Sequence, residues 1–117
     1  MINITTNQEY NEIEKYLMTI SPAIVSMKNV SDGTKIQVKK YMLFQDVKEN
    51  TGEVVEILSI LTLDNQVYSA QSGTLKRSFL DIVDIMGDKP FTIIKTSGKT
   101  KAGRDFINCI LDVESIA

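Results

Sequence analysis

The sequence contains no histidine and no tryptophan, one cysteine and two prolines among 117 residues. Without histidine there is no Ser-His or Cys-His nucleophile, no imidazole base and no Cys/His zinc site. The single Cys109 cannot found a disulfide framework. It lies in an apolar strand pattern, so a small buried core residue in a reducing cytoplasm is expected. No apolar run approaches the ~18 residues that a membrane helix needs. The first residues, Met-Ile-Asn-Ile-Thr-Thr-Asn-Gln-Glu, have neither a cationic start nor an apolar stretch, so no signal peptide is expected. The acids, Glu49, Glu53, Asp81, Asp84 and Asp88 among them, are scattered over surface-like positions. Their spacing marks no metal or acid/base pair, and ordinary solvated charges are expected. Neither a cofactor, a metal nor an enzymatic reaction is expected.

What is present is a local concentration of positive charge. The stretch Lys95-Thr-Ser-Gly-Lys-Thr-Lys-Ala-Gly-Arg104 holds four cations, two glycines and no acid. It lies between the strand-like runs 91–94 and 105–111, so a long, flexible, cationic hairpin loop is expected there. Such a loop suits an extended polyanion, because mobile ammonium and guanidinium groups can follow a phosphate backbone. Ser97-Gly98-Lys99-Thr100 resembles the end of a nucleotide-binding P-loop. The first glycine of that motif would fall at Ile93, and no helix follows, so a triphosphate site is excluded.

With 43% hydrophobic and 24% charged residues, the chain reads as one domain over 1–117. Residues 1–32 form an N-terminal helix and extended segment, and 33–114 the body of the domain. Thr6-Asn-Gln-Glu9 has the form of a capping box. Tyr10, Ile13, Leu17 and Ile20 then recur at helical spacing, predicting a helix over 7–20 in which Tyr10 and Tyr16 pack it down. From Thr34 the period changes to two. Residues 35–47 predict a long strand with Ile36, Val38, Met42 and Phe44 on one side, and Lys40 breaking the row at a bulge or bend. Further strands are expected at 54–63, 66–71, 91–96 and about 104–113. A second helix, capped by Ser72 or Thr74 and ended by Gly87, precedes the fourth.

Three antiparallel strands, a helix, and two more strands joined by a long loop are the plan of a five-stranded OB-fold-like antiparallel barrel. The expected fold is thus mainly β, with a helix between strands 3 and 4 and an extra N-terminal helix. A small β sandwich or an unrelated α+β sheet gives the same order. Ten of the thirteen basic residues fall in three windows, 28–40, 76–77 and 95–104, which contain one acid, Asp32. A basic face on a chain of net charge −2 follows, although such lysines also serve to blunt strand edges. Single-strand binding combines a cationic track with rings on which bases stack. Tyr41, Tyr68, Phe91 and Phe106 are the eligible rings in strands, with a core role open for the two phenylalanines. Phe44 and Phe79 fit the core.

The runs Ile57-Leu-Ser-Ile-Leu-Thr62, Val67-Tyr-Ser-Ala-Gln-Ser-Gly-Thr74, Arg77-Ser-Phe-Leu-Asp-Ile82 and Ser97-Gly-Lys-Thr-Lys-Ala-Gly-Arg-Asp-Phe106 resemble single-stranded DNA-binding proteins of phages infecting Gram-positive bacteria. The similarity covers about residues 33–112. It implies an OB-fold that coats single-stranded DNA during phage replication or recombination without sequence preference. By position it implies Lys99, Lys101 and Arg104 in the DNA-gripping loop, and Lys76 and Arg77 at the start of the barrel helix. The sequence departs from the large bacterial proteins of this function in having no tryptophan and no acidic, glycine-rich tail. The reading is a non-enzymatic protein of the host cytoplasm. Its phosphate contacts are Lys35, Lys39, Lys95, Lys99, Lys101 and Arg104, and its stacking rings Tyr41, Tyr68 and Phe106. Single-stranded DNA is the expected partner, and no membrane. A homodimer, which lengthens the track, and replication or recombination proteins are further expected partners. The alternative is a protein-interaction or virion-associated β-barrel module.

Overall fold

The structure, a computed structural model, describes residues 2–6, 8–87 and 89–116. Asn7, the expected first helical residue, and Asp88, expected as a solvated acid, lie outside the described residues. The chain is mainly β, a curled mixed sheet of seven strands with two helices. The strands are β1 (Ile2–Ile4), β2 (Val25–Ser26), β3 (Lys35–Val47), β4 (Val54–Thr62), β5 (Val67–Ala70), β6 (Phe91–Lys99) and β7 (Asp105–Leu111). Helix α1 (Glu12–Thr19) follows β1, and α2 (Gly73–Met86) joins β5 to β6. The sheet order is β2-β5-β4-β3-β6-β7, with β1 paired to β3.

Strand β3 organises the sheet. Its N-terminal part pairs with β6 and its C-terminal part with β1 and β4. The β3–β4 register passes from Val38↔Thr62 directly to Lys40↔Leu61, so Lys39 is an extra residue in a bulge. Because side chains alternate across a strand, one extra residue exchanges the faces. Ile36 and Val38 therefore share the main core with Tyr41 and Leu43, while Met42 and Phe44 enter a second cluster on the other side. The expected single row Ile36, Val38, Met42, Phe44 is corrected accordingly. The main core centres on Phe79 of α2, whose ring meets Tyr41 edge-on at 5.5 Å and Phe91 at 5.9 Å.

The barrel expectation is corrected in three respects. Among the described residues there are seven strands instead of five, and β2 runs parallel to β5, so the sheet is mixed. By taking the outer edge of β5, β2 leaves that strand no free edge for β7. The sheet remains a half-barrel with α2 packed on β7. The helix expected between strands 3 and 4 consequently lies between the fifth and sixth strands in chain order. Its limits follow the sequence signals. The Ser72 hydroxyl accepts the Leu75 amide at 3.2 Å, and Gly87, at φ +61°, ends the helix.

The N-terminal helix is shorter than the expected 7–20. Its capping box is Asn11 with Glu14, each side chain accepting the other's backbone amide at 2.8 and 3.0 Å. Thr6 instead shares a 2.7 Å hydrogen bond with the Tyr10 hydroxyl, and the Tyr10 hydroxyl donates to the Tyr41 carbonyl at 2.5 Å. Tyr10, Leu17 and Met18 face the second cluster, whereas Ile13, Tyr16 and Ile20 are exposed. Tyr16 thus does not pack the helix down.

Candidate nucleic-acid interface

The cationic hairpin is tighter than its composition predicts. Strand β6 continues through Ser97 and Gly98 to Lys99, pairing with β7 down to Lys99↔Asp105. Only 100–104 remain as the connection. The Thr100 amide donates to the Arg104 carbonyl, the Gly103 amide to the Thr100 carbonyl, and the Arg104 amide to the Thr100 hydroxyl. Gly103 takes φ +84°, which a side chain would oppose. The result is a fixed turn that presents the exposed Lys99, Lys101 and Arg104 at its tip. Lys99 lies 3.6 Å from Asp105 with both side chains in solvent, a pairing of little energetic weight.

Lys95 is not part of that loop. It lies inside β6, buried, with its ammonium 2.9 Å from Asp32. Ser97 donates to the other Asp32 oxygen at 2.5 Å. The Ser97 hydroxyl and then the Lys95 ammonium hold the Asp32 carboxyl below the usual range. The turn carrying Asp32 is fastened by two backbone bonds, Gly33 amide to Lys95 carbonyl and Lys95 amide to Thr34 carbonyl.

Three grooves gather the remaining candidates. The first, of about 590 Å³, brings Lys28, Lys95, Lys99 and Phe106 together with Ser72, Ser97 and Gly98. Phe106 pairs with Gly98 across the hairpin, and a Cβ at Gly98 would stand 2.8 Å from the end of the Phe106 ring. The absent side chain leaves room for the end of that ring against the strand, and Phe106 is partly buried there. The second groove, of about 510 Å³, joins Lys35 and Tyr68 with Gln37, Thr92 and Asp112. There Lys35 reaches the buried Asp112 at 3.2 Å. The third, of about 500 Å³, contains Lys39, Lys40 and Tyr41.

Not every candidate is equally placed to meet a ligand. Tyr41 has its ring against Phe79, and Lys76 is held by Glu56 through its carbonyl at 3.1 Å and its carboxylate at 3.4 Å. Lys40 is taken by Glu14 and by the Glu9 carbonyl, both at 3.0 Å. Lys39, Arg77, Lys101 and Arg104 are exposed and form no ion pair among the described residues. Sequence reasoning did not single out Lys28 or Gly98 as site residues. Lys28 had a signal, since it opens the first basic window. Gly98 had none, because its role depends on a cross-strand ring eight residues away. No cluster of three or more metal-ligating side chains occurs among the described residues.

The chain matches the family model described as phage single-stranded DNA-binding protein over residues 3–112. The match spans nearly the whole chain, and the chain belongs to that family. No curated protein and no solved structure matches it.

Proposed function

We propose that this phage single-stranded DNA-binding protein grips the strand between the β6–β7 hairpin and the exposed side of β3, without reading base sequence, as a coating protein of replication or recombination. The carrying observation is the first groove, where Phe106, the end of its ring against Gly98, shares the lining with Lys28 and Lys99. A ring in one groove with cations matches the two demands of single-strand binding, stacking and phosphate neutralisation. Lys99, Lys101 and Arg104 hold phosphates at the hairpin tip, and Lys35 and Lys39 continue the track along β3. Tyr68 offers a second ring beside Lys35. Lys76 and Arg77, near the start of α2, stand as outlying contacts.

The strand order β5-β4-β3-β6-β7 supports reading the half-barrel as an opened OB-type barrel with β1 and β2 added. The reading is of a binding protein and not of an enzyme, working in the host bacterial cytoplasm. The exposed row Ile13, Tyr16 and Ile20 on α1 favours a protein contact, either a second copy or a replication partner. Sedimentation of the parent against Ile13→Ser/Tyr16→Ser tests the second copy.

The test of function is fluorescence anisotropy with labelled oligothymidylate and duplex at several salt concentrations. About four neutralised phosphates give a log–log salt slope near −3 on single strands. Replacing Lys99, Lys101 and Arg104 together by glutamine flattens it by about 2 and weakens binding to every sequence alike. A parent slope near zero, or equal binding to duplex, rules the reading out.

A further inference from the structure

Lys35 and Lys39 stand on the exposed side of β3, four residues and so about 13 Å apart at ~3.3 Å per residue. The grooves beside them share one wall residue, Leu63. Leu63 directly follows β4, and its amide donates to the Gln37 carbonyl at 3.2 Å, which fixes it beside β3 between the two lysines. The residue is 60% exposed. An aliphatic side chain held in water at a junction lined by ammonium groups is poorly explained by packing. It is well explained by a ligand that carries flat apolar faces on an anionic chain.

The groove beyond Leu63 has that character. Lys39 and Lys89 line it with Pro90 and Phe91, and Glu9 is the one acid among its described lining residues. Neither Lys39 nor Lys89 forms an ion pair among the described residues. Lys89 is also held in place, because its amide donates to the Met86 carbonyl at 3.2 Å and Pro90 restricts the chain after it. Lys89 lies outside all three basic windows of the sequence, so only the fold brings it to Lys39.

We propose that this groove is a further nucleotide subsite, in which a strand leaving Lys35 and Tyr68 lays a base on Leu63 and a phosphate against Lys89. This rests on the single-strand reading above, and it extends the track from the hairpin across β3 to the connection between α2 and β6.

The test is anisotropy with oligothymidylates of graded length on the parent, Lys89→Gln and Lys89→Glu. Parent affinity rises with length until the subsite is filled. The variants match the parent on the shortest oligonucleotides and fall several-fold behind on the longest, where Lys89→Gln lowers the salt slope by about 0.7. In a second measurement, Leu63→Cys carries an environment-sensitive dye, Cys109 being buried. Its emission changes when a long oligonucleotide binds. Variants that follow the parent at every length, or a dye that does not respond to bound DNA, overturn the subsite alone. A parent that binds no oligonucleotide overturns the function beneath it.

Discussion

The Lys95 ammonium lies 2.9 Å from an Asp32 carboxylate oxygen, with the lysine side chain 6% and the aspartate side chain 56% exposed. The cation is thus withdrawn into the sheet while its counter-charge faces water. A buried ammonium needs that partner, since an unpaired one is strongly disfavoured. The pair fastens the 31–34 turn to β6 beneath the first groove, and it neutralises the cation that begins the basic hairpin.

Lys95→Gln is therefore expected to lower the melting temperature and to leave the salt slope of oligothymidylate binding at its parent value. Lys101→Gln is expected to do the reverse, reducing the slope by about 0.7 with an unchanged melting temperature. Both are read by anisotropy titrations at four salt concentrations beside a thermal melt. A slope reduction for Lys95→Gln equal to that of Lys101→Gln contradicts the assignment, because it requires the buried ammonium to meet phosphate.

Gly98 and Phe106 give a prediction of opposite kind. Gly98→Val places branched carbons where the Phe106 ring now lies, and the nearest atoms are the far end of that ring, which can swing away. Stability is expected to change little. Binding loses the stacked base, worth roughly 1–3 kcal/mol, so affinity falls by about 5- to 150-fold. Phe106→Ala is expected to fall by a similar amount, and the double variant by no more than either alone. Additive losses in this cycle separate the two residues.

Much of this arrangement was legible in the sequence where local patterns and tertiary structure agree. The limits of β3, the bulge near Lys40, and the Ser72 and Gly87 ends of α2 follow from strand period, a broken apolar row and capping chemistry. The face exchange at Lys39 was not legible, because a bulge shows in sequence as a defect and not as a change of side. The hairpin was misjudged in length because Ser97, Gly98 and Lys99 have poor strand propensity, and pairing with Asp105, Phe106 and Ile107 overrides it. Strand β1 has three residues, too few for a period, and owes its existence to β3. Asp32 stood out as the one acid in the basic windows, yet its bond to Lys95 spans 63 residues of sequence.

The acids set the response to pH. Glu14 is held below its ordinary pKa by the Asn11 backbone amide and then by Lys40, Asp32 by Ser97 and Lys95, and Asp64 by the Thr62 hydroxyl. A carboxyl depressed in the folded state contributes stability that is present above its unfolded pKa and lost as pH falls through the folded value. The melting temperature is expected to hold from neutrality to about pH 4–5 and to drop below that range. Glu14→Gln is expected to melt lower at pH 7 and to show a shallower acid decline, read by calorimetry across pH 2–7.

Cys109 reports on the core. It is buried between β7 and α2, its thiol 4.0 Å from the Leu75 carbonyl, and burial pushes its pKa up to about 11. The thiolate is the reactive form, so the folded protein at pH 8 is expected to resist a disulfide reagent that titrates one thiol in denaturant. Phe79 is fully buried beneath Tyr41 and Phe91, and Phe79→Ala is expected to cost about 3–5 kcal/mol. That loss raises the population of open molecules, so Cys109 should react far faster in Phe79→Ala than in the parent. Equal labelling rates would mean that Cys109 is reached by local opening of β7, without disruption of the ring cluster.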